Sequence, residues 1–148
     1  MTTPAPLDVS AWAPRIKAQC PSVKLAARSA DHATAINEGP ALSPAVFVLE
    51  PNYSAQSGGN YTDSLLMQLT HWLVPVLTCV RNVADSTGAA ASKDLDTVRR
   101  ELFAALVGFK PDPDGYTVRA HSGKLLTYKN GFVYYLDVFQ LEYQLRNQ

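Results

Sequence analysis

The stretch GKLLTYKNGFVYYLDVF, residues 123–139, decides the fold. Asn130-Gly131 lies between two runs rich in aliphatic and aromatic residues. A two-residue type I′ turn needs positive φ at both central positions, which Asn and Gly tolerate best. The stretch therefore reads as a β-hairpin of defined register. Counting back from the turn sets Lys129 opposite Phe132, Thr127 opposite Tyr134 and Lys124 opposite Asp137, the last an oppositely charged cross-strand pair. Upstream, Ser122-Gly123 reads as a second turn, preceded by a shorter run at Tyr116–Arg119. The chain is thus expected to close as a three-stranded β-meander.

Working outward, Leu65 to Arg81 alternates Trp72, Val74, Val76, Thr78 and Val80 against His71, Leu73, Leu77 and Cys79, the period of a long strand. Pro75 cannot donate to a ladder, which predicts a sheet edge or a bulge there and argues against a continuous central strand. Between strand and hairpin, Leu95, Val98, Leu102 and Leu106 form a helical stripe. Ser92 is its expected N-cap, Asp94 and Asp96 its first-turn acids and Gly108 its stop. Arg99 and Arg100 lie off the stripe, and the Pro111–Gly115 segment beyond it reads as a loop.

Nearer the start, Val9, Trp12 and Ile16 share a helix face, with Ser10 as candidate cap, Pro14 in the first turn and Pro21 as stop. Val23–Ala27 reads as a short extended segment, Ala30–Glu38 as a second helix closed by Gly39-Pro40, and Ala45–Leu49 as a proline-bracketed buried strand. Residues 51–63 lack apolar periodicity and read as an exposed loop, and residues 1–7 as a flexible N-terminus. The expected class is α+β: a mostly antiparallel sheet packed by two to three helices, in one domain spanning 1–148.

That length and a hydrophobic content of 47% suit a single core. Thirteen basic residues balance thirteen acidic ones, so the diffuse positive field of sequence-independent nucleic-acid binding is missing. No run approaches the roughly 20 apolar residues of a membrane span, and no secretory signal is evident, which predicts a soluble, unexported chain. Cys20 and Cys79 stand apart without metal-ligand spacing and read as buried free thiols. The Asn52-Tyr53-Ser54 and Asn60-Tyr61-Thr62 sequons then have no route to glycosylation.

Catalytic patterns are also missing. His32, His71 and His121 have no acidic neighbour in sequence to orient an imidazole. Ser57-Gly58-Gly59-Asn60 lacks the lysine and following helix of a phosphate loop. Asp112 and Asp114 read as turn residues, because nothing follows them at calcium-loop spacing. Tyr128, Phe132, Tyr134 and Tyr135 have the composition of a base-stacking platform, but too few cations surround them, and Tyr134 and Tyr135 must face opposite sides of a sheet. The residues thus predict no catalytic residue, no cofactor and no metal.

Order along the chain adds a resemblance. Pro6-Leu7-Asp8 leads to Arg15-Ile16-Lys17, then come Ala45–Leu49, Val80-Arg81-Asn82-Val83-Ala84-Asp85 with Gly88, and Ala104–Pro111. Gly123-Lys124-Leu125-Leu126 and Leu136-Asp137-Val138-Phe139 complete the series. Together these pieces resemble the tail terminator, or minor tail, proteins of Mu-like bacteriophages and their prophage relatives. That family often has tryptophan where this chain has Phe109 and Tyr134, and residues 52–63 are individual to this sequence.

The resemblance implies a structural virion protein at the head-proximal end of the tail, assembled in the host cytoplasm. Such a protein forms a homo-oligomeric, usually hexameric ring that caps the tail tube, stops its polymerisation and joins the head connector proteins. DNA would pass through the lumen without specific binding. Tyr53, Gln56, Asn60 and Tyr61 are the candidate partner-contact residues, since their segment is long and polar yet carries two aromatics. The rival readings are another head-tail neck adaptor, which position in the particle would distinguish, and a small ligand-binding domain or enzyme, which would require a pocket with converging polar groups.

Overall fold

The computed structural model describes residues 5–55, 60–61, 66–81, 89–111 and 116–146. In chain order these form α1 (Trp12–Gln19), β1 (Leu25–Ser29), α2 (His32–Glu38), β2 (Ala45–Leu49), β3 (Asn52–Ala55), β4 (Asn60–Tyr61), β5 (Leu66–Arg81), α3 (Ala89–Leu106), β6 (Arg119–Lys129) and β7 (Phe132–Arg146). One sheet runs β1-β2-β5-β7-β6, with β3 and β4 pairing β5 beyond the end of β2. Among the described strands only β1 and β2 pair in parallel. The α+β, mostly antiparallel expectation holds, with three helices among the described residues.

Period-two alternation assigns the faces. Trp72, Val74 and Val76 of β5 join Phe139 and Leu141 of β7 under α1 and α3, in a core that includes Trp12, Ile16, Val98, Leu102 and Leu106. On the opposite face Leu77, Cys79 and Tyr134 pack with Ala35 and Ile36 of α2. That second cover ends with α2, so toward the Met67 and Arg146 end of the sheet, here its lower end, Leu69, His71, Leu73 and Gln140 have no described helix above them and are half-buried. Leu7 is 9% exposed and packs in the first core; residues 1–4 lie outside the described set.

Several local expectations are corrected. Ser10 does not cap α1: its N–H donates to Asp8 Oδ1 at 2.8 Å, and Ala11 occupies the cap position without a side-chain bond. The cap of α2 is Asp31, whose carboxylate accepts from Thr34 N–H. Nor does Ser92 cap α3, which begins at Ala89 and has no acid in its first turn. Three consecutive alanines of the highest helix propensity carry the helix back past the serine.

Pro75 is not at an edge or bulge of β5. The strand is central and continuous, pairing β7 in unbroken register from Met67–Arg146 to Arg81–Phe132. The break lies in its other neighbour. Pairing with β2 ends at Val48–Val76 and pairing with β3 starts at Asn52–Leu73, so Pro75 faces the gap between them. A missing N–H is tolerated where no partner strand stands opposite.

The closing meander is instead one long hairpin, because β6 runs through Ser122-Gly123. Asn130 and Gly131 adopt φ of 53° and 80°, as their turn requires. Lys129–Phe132 and Thr127–Tyr134 pair as expected, but a bulge between Leu125 and Thr127 shifts the rest. Asp137 therefore faces Gly123, and Lys124 faces Leu136. Gly123 is a close-approach residue rather than a turn: a Cβ there would lie 2.7 Å from Asp137 Oδ1. The 51–63 stretch is not a structureless loop either, since it supplies β3 and β4 to the edge of β5.

Candidate functional site

The sheet's two lower edges are the sites best built for a partner. On one, β3 sets Tyr53 level with Trp72, and the rings stack at 4.7 Å with an interplanar angle of 27°. Trp72 is buried by the core, whereas Tyr53 stays 59% exposed on the outer side of that stack. Asn60 and Tyr61 form β4, level with Met67 and Leu66 on the same edge. Of the four residues singled out in the sequence, three thus line one edge, and Gln56 lies outside the described residues.

The opposite edge went unnoticed in the sequence. Pairing of β6 with β7 begins at Arg119–Gln140. Before that the chain turns to the end of α3, where Gly108 N–H donates to Val118 O at 2.8 Å and Val118 N–H to Phe109 O at 2.8 Å. Residues Leu141 to Arg146 of β7 therefore pair only with β5, and their other flank carries no strand among the described residues. Beside that flank, on the helical face, a notch of about 270 Å³ opens between Pro6, Leu7, Pro111, Tyr116, Leu141 and Tyr143. No local sequence signal marks a free flank, which depends on where a distant strand stops.

Two bulges in β6, at Ala120/Ser122 and Leu125/Thr127, bring Arg119, Lys124 and Lys129 onto one face, level with Gln140, Leu136 and Phe132. Lys129 Nζ donates to Asn37 Oδ1 at 2.8 Å, tying the hairpin to α2. Leu125 and Tyr128 stand exposed on the opposite, helical face.

The main charged and thiol groups inside the fold are committed to structure. Asp137, 1% exposed, accepts two bonds from Arg99, 2.9 Å from Nε and 2.8 Å from Nη2. The guanidinium also lies 3.9 Å from the Tyr135 ring centroid, and the Asp137 carboxylate raises its affinity for its proton further. Cys20 and Cys79 are free and buried, and burial pushes their thiols up to about 11 and about 12, which keeps them protonated and poor nucleophiles.

His71 faces Glu142 across the ladder at 3.8 Å, an acidic partner that sequence order hid. His121 lies in β6 rather than a turn and contacts Ser122 Oγ at 3.1 Å. No group of three or more metal-capable side chains gathers among the described residues. In a further recess of about 460 Å³, between Lys24, Arg81, Asp94 and Phe132, the Ser43 hydroxyl accepts from the Arg81 backbone N–H at 2.9 Å. What the arrangement offers is backbone and aromatic surface for association.

No helix among the described residues is long and apolar enough to cross a membrane. None of the curated proteins matches the chain. The family described as phage tail terminator protein matches residues 2–148, in keeping with the resemblance carried by the ordered pieces from Pro6 to Phe139. With essentially its whole length inside that match, the chain belongs to the phage tail terminator family, a family of structural proteins of the virion tail.

Proposed function

We propose that this chain acts as one domain that closes, as a ring of six copies, on the head-proximal end of the tail tube. There it ends tube polymerisation and presents the surface that head connector proteins join. The family match over residues 2–148 carries this reading. Its physical support is that the sheet ends in unlike edges, β1 with β3 and β4 on one side and β6 with the tail of β7 on the other. A ring needs two different, complementary patches on every copy, because its contacts are heterologous and close by rotation.

The ring works by occupying surface, so it needs no catalysis, cofactor or metal, and DNA crosses its lumen without sequence-specific contact. Assembly takes place in the host cytoplasm. The Tyr53, Gln56, Asn60 and Tyr61 edge meets a neighbouring copy or the tube.

Native mass spectrometry of the purified protein, with and without tail-tube subunits, tests the reading. A ring-sized mass on the tube is expected, whether or not the free protein is monomeric. A strict monomer that never associates with tube protein overturns it. Deleting Gln56 to Gly59 should leave folding intact and impair assembly, and normal infectious tails from that variant would remove the segment from the interface.

A further inference from the structure

We infer that the two lower sheet edges fit each other between copies: Tyr53 of one copy enters the notch beside β7 of the next, and β3 adds to the free flank of β7. The inference rests on the ring reading and names its contact. Three observations converge. Tyr53 is level with Trp72 in the β3–β5 register, and Trp72 with Leu141 in the β5–β7 register, so the exposed ring and the notch-lining leucine stand at one height on opposite edges. Paired residues point to one face, so the tyrosine and the notch also share the helical face. Finally, β3 and β7 both run antiparallel to β5, hence in the same direction.

Rotation about an axis along the strands therefore brings β3 of one copy parallel to β7 of its neighbour, knob facing notch. The partner is a second copy because knob and notch match in height, face and strand direction on one chain. A tyrosine suits the notch chemically. Its apolar body meets Pro6, Leu7 and Leu141, and Asp8, which also lines the notch, offers a carboxylate acceptor for the phenol O–H. Aromatic anchors filling a pocket are the residues whose truncation weakens interfaces most.

Cross-linking between singly substituted chains tests this. Copies carrying Tyr53→Cys and copies carrying Tyr116→Cys are mixed on tail-tube protein and oxidised; Cys20 and Cys79 stay buried and do not compete. Disulfide-linked heterodimers only in the mixture are expected, because a heterologous contact never brings like positions together. In parallel, Tyr53→Ala should raise the concentration needed for assembly about tenfold or more at a temperature where the monomer stays folded despite the lost stack on Trp72.

A ring that forms without cross-linking, or Tyr53→Cys copies that link to one another, overturns the knob-and-notch contact and leaves the ring standing. If native mass shows no ring under any condition, the functional reading fails and the contact with it.

Discussion

Asp137 shows how far one residue's role depends on partners distant in sequence. The hairpin count assigned it to Lys124, yet the bulge hands that position to Gly123 and the charge is met by Arg99 of α3. Removing one partner of a buried pair leaves the other charge uncompensated. Arg99→Met should cost about 2 to 3 kcal/mol by urea unfolding, less than for a fully buried pair because the Arg99 side chain keeps 26% exposure. Gly123→Ala would set a Cβ against an Asp137 oxygen that Arg99 holds in place and 3.2 Å from Tyr135 Cε1, and should cost about 1 to 3 kcal/mol. The two changes share one cluster, so the alanine should cost less in the Arg99→Met background. Strict additivity in a double-mutant cycle would contradict the clamp.

Elements were legible where periodicity alone defines them. Leu95, Val98, Leu102 and Leu106 are buried on α3 as the stripe required, and Ala45–Leu49 is a strand with the expected bounds. Ends were less legible, since competing local chemistry decides them: Asp31 rather than an earlier residue starts α2. Backbone and side-chain bonds from Thr34 hold the Asp31 carboxyl below its ordinary 3.8. A lowered folded value means stabilisation that is fully present above the unfolded pKa and lost as pH falls through the lowered one. Asp31→Asn keeps an acceptor that does not titrate. Between about pH 6 and about pH 2 the wild type should therefore lose more stability than the variant in denaturant titrations. Parallel acid limbs would show that the charge on the Asp31 cap contributes nothing.

At the scale of the whole molecule, the family and the α+β class were readable, and one of the two lower edges was marked only as the loop of residues 51–63. The second was not, because the flank of β7 that is unpaired among the described residues follows from the diversion of Val118 toward Phe109 and Gly108. Charge balance makes a further prediction. With 13 cations and 13 anions the chain has no net charge to drive copies together or apart, and the proposed contact is built of backbone and aromatic groups. Raising salt from about 0.05 to about 0.5 M should change the assembly midpoint by less than about threefold in light scattering, whereas a log-linear loss over decades would indicate charge-driven assembly. The uneven covering of the sheet then acquires a geometric meaning. Helices pad one face along the sheet, while α2 pads only the upper part of the other. Each subunit is therefore a keystone, thick on one side and thin on the other below α2. In the proposed ring, keystones set flank to flank would form an arch, and the helix-free surface of Leu69, His71, Leu73 and Gln140 would be its inner wall.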